Sequence, residues 1–395
     1  MSALDTTRLD APASVGRLQT IGLGVGLVGL ALSAIGWFVA PEQFFFSWLL
    51  AVSLVVTPSI GCLALLMIHH LTGGAWGTVA RRVWEAGAGL LPLLFLFALP
   101  LLLGLDVLYE WARPEAANDP LLVHKSAYLN ESGFAWRMVV YFVIWSGLAF
   151  WLRRLSHRQD QAPDPNLSKR MAAISAPGLV IWALVTTFAY MDWLMSLEAH
   201  WFSTIYGVYF FGGSGLAALA VTILVSVRLR RDEPMTGALA PRHFHDWGKL
   251  LFAFVLLWTY FGVSQFLIIW AANLPEEIVW YLHRTRHGWG YVGVALAIFH
   301  FAVPFALLLS RDLKKNAGRL AWVAGFLLVM RWLDHLWQIA PVAHPDQFVI
   351  HWLDVAAPAA LVGLWLAGFC FLLRRHPILP ANDPYLEEAY GDESH

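Results

Sequence analysis

Apolar residues gather into ten long runs, at 18–40, 44–68, 86–108, 134–152, 174–195, 203–227, 247–271, 288–309, 318–339 and 351–373. A helix needs roughly 20 predominantly apolar residues to cross a hydrocarbon core about 30 Å thick. Backbone groups cannot stay unpaired in lipid, and the period-two alternation of a barrel strand is missing. Each run therefore predicts a helix. The first run follows Arg17 but is too long for a signal-peptide core and lacks a clear cleavage site, so it predicts a retained span. The expected fold is an all-α membrane protein with ten transmembrane helices. Segments 1–17 and 374–395 would lie outside a single membrane domain, 18–373.

Two of the runs carry related text. Span 5 ends Phe188-Ala189-Tyr190-Met191-Asp192-Trp193-Leu194, and span 9 ends Met330-Arg331-Trp332-Leu333-Asp334-His335-Leu336-Trp337. Each has an Asp late in its course, and four spans separate them. That spacing predicts two four-helix bundles, 44–195 (spans 2–5) and 203–339 (spans 6–9), flanked by helices 18–40 and 351–373. Parallel repeats place functional sites at corresponding points of the two halves.

Charge sets the expected orientation. Of the 26 Lys and Arg residues, nineteen lie in segments on the side of the two termini, from Arg8 and Arg17 through Arg153, Arg154 and Arg158 to Arg374 and Arg375. The opposite loops hold Arg113, Lys125, Arg284 and Arg286. The positive-inside rule makes the rich side cytoplasmic, with both termini there. Trp37, Trp48, Trp111, Trp201, Trp270, Trp280 and Trp337 fall near the opposite helix ends, as an interfacial aromatic belt would.

Composition agrees: 58% of residues are hydrophobic and 13% charged, against about a quarter charged in soluble domains. The formal net charge of −1 argues against nucleic acid as a partner. Cys62 and Cys370 both sit in apolar runs without a Cys-x-x-Cys neighbour, which argues against iron–sulfur, zinc and covalent haem. They read as small packing residues.

Ionisable groups inside a bilayer are costly and usually have a partner or a task. Toward the outer face lie Asp106, Asp192, Glu198, His200, Arg331, Asp334, His335, His351 and Asp354. Gln265, His300, Tyr190, Tyr209 and Tyr260 fall near mid-membrane. His69, His70, Glu85, His243, His245, Asp246 and Lys249 fall toward the inner face. Arg331 and Asp334 stand i,i+3 and can pair on one helix face. The pair either neutralises itself and pins span 9, or leaves Asp334, together with Asp192, to take protons from a ligand. His300 reads as a hydrogen-bonded core histidine or a proton relay; a haem would need a second histidine at matching depth. The inner histidines read as solvated interface residues, or with Glu85 as the cytoplasmic mouth of a proton path. Gly212-Gly213-Ser214-Gly215 has neither the strand nor the Lys of a phosphate loop and predicts close helix packing. Pro275 discourages a helical Leu274, so Asn273-Leu274-Pro275 should end span 7. Glu276 and Glu277 beyond it are expected to dock a periplasmic partner.

Three stretches are familiar as text: Asp192-Trp193-Leu194-Met195-Ser196-Leu197-Glu198-Ala199-His200-Trp201-Phe202-Ser203-Thr204, running on into Tyr206–Gly213; Gln265–Glu277; and Met330-Arg331-Trp332-Leu333-Asp334. Together they resemble the smaller ten-helix membrane subunit (the F subunit) of bacterial alternative complex III, within the polysulfide-reductase membrane-subunit superfamily. The likeness runs over about residues 20–375. It implies a quinol:cytochrome c (or electron-acceptor) oxidoreductase made of several chains. Its partners would be a larger ten-helix sibling, an iron–sulfur/molybdopterin-like periplasmic subunit, and multihaem and monohaem cytochromes c. Lipid and menaquinol or ubiquinol would be the small-molecule partners. Quinol oxidation gives two electrons and two protons. A chain without a cysteine cluster or paired histidines is expected to handle protons and hydrogen-bond a quinone, leaving electrons to its neighbours; alone it is not expected to be catalytic. An outer polar site of Asp192, Arg331, Asp334, His335 and Asp354 would lead through Glu198 and His200 to the periplasm. The competing readings are a scaffold that only anchors peripheral subunits and a stand-alone transporter with helices broken at Pro58, Pro177 or Pro304.

Overall fold

The computed structural model describes residues 11–390, and no strand occurs among them. Each of the ten apolar runs lies on a long helical rod: α1 (Ala13–Val39), α2 (Pro41–Thr72), α3 (Arg81–Leu103), α4 (Glu131–Gln161), α5 (Pro165–Trp193), α6 (Tyr206–Leu229), α7 (Pro241–Ala272), α8 (Trp289–Leu309), α9 (Ala317–Ala343) and α10 (Leu353–Leu373). Among the described residues nine of these, all but α9, are long and apolar enough to cross a membrane. α9 has the length, but Arg331, Asp334 and His335 dilute its apolar character. Third in order, α3 starts five residues before the apolar run, because Arg81 and Arg82 are buried within its first turn beside Glu85. A hydropathy window excludes arginines whose counter-charges it cannot see.

Burial sorts the helices. In α2, 89% of the apolar stretch is buried within the chain, and in α6 72%, against 28% in α1 and 22% in α7. α2 packs on α3, α5, α6, α9 and α10, while α6 also packs on α5, α7 and α9, so these two form the centre. Lipid supplies no hydrophobic drive between helices, and small residues must let backbones approach. A Cβ on Gly212 would stand 2.9 Å from the Trp258 backbone of α7, in keeping with the packing role expected of the glycine run. α1 lies along α10 in the same way: a Cβ on Gly29 would come within 2.5 Å of the Ala360 nitrogen.

Pro58 and Pro177 sit inside unbroken helices. α8 is different. Its middle turn, Leu296–Ala302, is a π-turn just before Pro304. The added residue bends the rod. The Val303–Leu309 part of α8 lies against α7, whereas Trp289–Ala295 packs on α9 and on the connecting helix Pro275–Thr285. α7 itself ends as expected, Asn273 adopting a left-handed cap (φ 49°) before an extended Leu274.

Loops from alternate helices meet at two ends. At the end where α1 begins and α10 stops, the segment after α10 folds back onto the bundle. Arg81 binds Asp383 at 2.5 Å, Ala381 N–H donates to Asp160 (3.1 Å) and Arg242 donates to the Glu388 carbonyl (2.8 Å). At the opposite, distal end Lys125 donates to the Ala199 carbonyl (2.6 Å), and His344 bonds Gln43 (2.7 Å).

Candidate functional site

A cavity of about 460 Å³ lies between α6, α7, α8 and α9 in their distal halves, under the helix Pro275–Thr285. Its wall is mostly apolar, with polar groups from Tyr206, Tyr209, Gln265, Tyr281, Arg284 and Gln338. Helical spacing explains the α7 contribution: Trp258, Gly262 and Gln265 stand at i, i+4 and i+7, on one face. Tyr260 is rotated about 200° from Trp258 and is 64% exposed on the outside of the bundle, so it is removed from the mid-membrane polar set. Tyr206 donates to the Gln338 side-chain oxygen (2.9 Å), Ser203 to the Gln265 oxygen (3.1 Å), and Gln265 to the Tyr281 hydroxyl (3.4 Å).

Behind this wall the Tyr209 hydroxyl donates to Asp334, which is ion-paired with Arg331. Arg331 also meets His335 Nε2 (3.1 Å), that nitrogen lies 3.2 Å from the Thr57 hydroxyl, and Thr57 bonds Tyr190 (2.6 Å). The network thus runs from the cavity across α9 to α2 and α5. Arg331, Asp334 and His335 are all buried, and the guanidinium lies against Gly213, where a Cβ would approach within 2.6 Å. Desolvating two charges costs several kcal/mol per ion before their attraction is counted. A pair kept there beside a cavity is a stronger functional pointer than one at a surface. His300, from the π-turn, is buried with its ring 3.8 Å from that of Trp258, and neither of its nitrogens has a partner.

Asp192 has a different setting. Arg137 bonds it at 2.8 and 3.1 Å, and Tyr141 donates to it at 2.6 Å. Arg137 in turn stacks on Tyr128, 3.8 Å from its ring centre. Both repeated Asp residues therefore have an Arg and a Tyr, but the partners come from non-equivalent helices, and Asp192 is not part of the cavity wall. Asp354 accepts from Ser47 (2.6 Å), Gln43 (3.0 Å) and the His351 N–H (2.9 Å), tying the start of α10 to α2. Neither joins the Asp334 network.

A lid closes the distal end. Glu198 binds Arg284 at 2.5 Å and His283 at 2.6 Å; Arg284 donates to the Gln338 carbonyl (2.8 Å) and stacks on Trp280. Trp280 stacks on Trp201 at 4.8 Å and meets Trp337 edge-on at 5.5 Å. Burial disfavours a charged Glu198, but the Arg284 guanidinium and His283 outweigh it and hold the carboxyl below its ordinary value. The lid contribution is then complete above the ordinary pKa of 4.5 and disappears as pH falls through the depressed one. Glu198→Gln leaves Arg284 buried without a counter-charge. We expect a loss of about 3 kcal/mol, read as a lower thermal midpoint in detergent at neutral pH and little difference from wild type in strong acid. His200 is exposed and bonds Asp119 (2.7 Å), beyond the lid. Glu276 and Glu277 occupy the first turn of Pro275–Thr285, where carboxylates also favour the positive helix end.

At the end where α1 begins and α10 stops, Glu85 accepts from Arg81 (3.1 Å), Arg82 (2.5 Å) and Ser156 (2.5 Å). His69 and His243 are buried rather than solvated: His69 packs against Trp76 and Trp84, and His243 Nδ1 accepts the Ala240 N–H (3.1 Å). His70 and His245 are half-buried. Glu85→Gln withdraws the charge shared by two buried arginines. The expected result is a loss of about 3 kcal/mol and faster proteolysis of the tail after His376; an unchanged digestion pattern would show that the tail is held by other contacts.

Fold and site together define a multi-pass helical membrane protein with a mostly apolar cavity that carries a few polar groups, set between its helices. No protein-family model matches the chain, and no curated protein matches it.

Proposed function

We propose that the chain is an integral subunit of a quinol-oxidising assembly, and that its cavity receives the quinone head. It would cross a bacterial cytoplasmic membrane ten times as two four-helix bundles with flanking helices, both termini cytoplasmic and the cavity in the periplasmic half. The observation that carries this reading is Tyr209, which lines the cavity and whose hydroxyl donates to a buried Asp334 behind the wall. Ligand pockets are typically apolar with a few placed polar groups, and this one has the volume for an aromatic head.

Oxidation of a quinol to a quinone releases two electrons and two protons. The electrons pass to a redox carrier on a partner subunit, of iron–sulfur or cytochrome c type. For the protons, this chain offers the Tyr209 hydroxyl and the Asp334 carboxylate. Protonating Asp334 cancels half of the ion pair and frees Arg331 toward His335. Gln265, Tyr281 and the Tyr206–Gln338 pair orient carbonyl and hydroxyl groups by hydrogen bonds. The resemblance to the alternative complex III subunit supports the same partners: the larger ten-helix sibling, the periplasmic iron–sulfur/molybdopterin-like chain and the cytochromes c.

Purification in mild detergent, identification of the co-purifying chains and titration with a quinol analogue test the proposal. Gln265→Ala and Tyr281→Phe are expected to raise Kd about tenfold each, a loss near 1.4 kcal/mol; unchanged affinity in both contradicts a cavity site. A scaffold role is favoured by a specific observation, the closure of Asp192 and Glu85 onto arginines. Loss of the assembly on deletion, with every buried-acid variant fully active, would select it.

A further inference from the structure

The cavity is capped toward the distal solvent yet flanked by a gap between two helices. The cap is the tryptophan cluster of Trp201, Trp280 and Trp337 with the Glu198–Arg284 pair beneath Pro275–Thr285. The gap arises at the π-turn of α8. On one side of that turn α8 lies against α7; on the other, Trp289–Ala295 leans toward α9 and the lid helix instead. Among the residues by which these two helices line the cavity, Gly262 and Val263 on α7 and Gly290, Gly293 and Val294 on α8 are small or aliphatic. Val263 and Val294 are 48% and 57% exposed on the membrane-facing surface, and both also line the cavity. These two valines thus stand both at the outer surface and in the wall of the cavity that Gln265 and Tyr209 line.

We infer that α7 and α8 form a lateral portal through which an amphiphile with a small polar head and a flexible apolar tail reaches the cavity from within the bilayer. The inference rests on the cavity-ligand reading above and adds the route and the requirement for a tail. A polar head passing the lid from water would have to part three packed indoles and break a buried ion pair. Passage from lipid needs only the side chains of Val263 and Val294 to give. Gly262 and Gly293 leave room for an alkyl chain, since a Cβ at either would already touch Tyr209 (3.3 Å) or Trp337 (3.6 Å) inside the cavity. The occupied state would have the head among the hydroxyls and amides and the tail between the helices, in contact with lipid. His300, in the π-turn, packs its ring 3.8 Å from that of Trp258, which forms the cavity wall beside the portal.

Photolabelling of the full chain in phosphatidylcholine/phosphatidylglycerol vesicles tests the route. The probe is an azidoquinone carrying a two-isoprene tail, with a tailless azidoquinone as its comparison. Expected is labelling of cavity residues by the tailed probe at least tenfold above the tailless one. Val263→Trp/Val294→Trp should cut it tenfold or more, while Val143→Trp, on the exposed side of α4, leaves it unchanged. If the tailed probe labels the cavity equally in wild type and in Val263→Trp/Val294→Trp, the portal is overturned while the cavity site stands. If neither probe labels the wild-type cavity, the ligand reading itself is overturned, and the portal with it.

Discussion

Replacing Arg331 by Met is expected to destabilise the protein by about 3–5 kcal/mol, because it strands Asp334 as a buried carboxylate with no counter-charge. The neighbours cannot compensate: Tyr209 supplies one hydroxyl, and His335 is directed at Thr57 and the lost guanidinium. The double variant Arg331→Met/Asp334→Leu removes both charges and fills the space with apolar groups. Buried pairs exchanged in this way are often neutral or better for stability. Most of the loss should therefore return, measured as the thermal midpoint in detergent. If the double variant is as unstable as the single one, the pair is holding α9 in place by more than its own neutralisation. If it is stable and active, Asp334 has no role in turnover.

The second large effect concerns activity. In the purified assembly Asp334→Asn should reduce quinol turnover by about 10²-fold, the usual scale for removing a positioned proton acceptor. Asparagine keeps the size and can still accept from Tyr209, but it leaves the buried Arg331 without its counter-charge, so a stability loss of about 3 kcal/mol is expected alongside and turnover is compared per intact assembly. Asp192→Asn should change turnover little, since Asp192 is enclosed by Arg137 and Tyr141 away from the cavity. Equal losses in both variants, or none in either, would remove the distinction between the two acids. Proton release measured alongside should follow turnover for Asp334→Asn.

Much of the architecture is legible in hydropathy alone, because a run long enough to span lipid has few alternatives to a helix. The errors have local causes. α3 starts early because Arg81 and Arg82 are neutralised by Glu85, Asp160 and Asp383, two of which are remote in sequence. Arg137 falls inside an apolar run at the start of α4, so its pairing with Asp192 is hidden, although its position seven residues into the helix-bearing segment that begins at Glu131 places it at the distal end. Tyr260 shows the limit of depth without azimuth: two residues from Trp258, it lies at the right level on the wrong face.

The site was legible in part. Asp334, Arg331, His335 and Gln265 stand out as polar text in apolar runs, and the structure brings the first three into one network beside a cavity that Gln265 lines. The cavity itself leaves no periodic signal. It depends on Gly262, Gly290 and Gly293 lacking side chains and on a π-turn that no residue pattern announces. Tyr206, Tyr281, Arg284 and Gln338 belong to its wall; Tyr281 and Arg284 lie in the loop after span 7, but Tyr206 at the start of span 6 and Gln338 at the end of span 9 are remote from it in sequence, so nothing in the text groups the four.

Redox-difference infrared spectroscopy on the quinone-loaded chain, with an external mediator as reductant and oxidant, probes the central claim directly. The account predicts a carboxyl C=O band that appears when quinol gives up its protons, disappears in Asp334→Asn and persists in Asp192→Asn. A band that survives Asp334→Asn unchanged, or none in the wild type while quinone is bound and cycling, would contradict it.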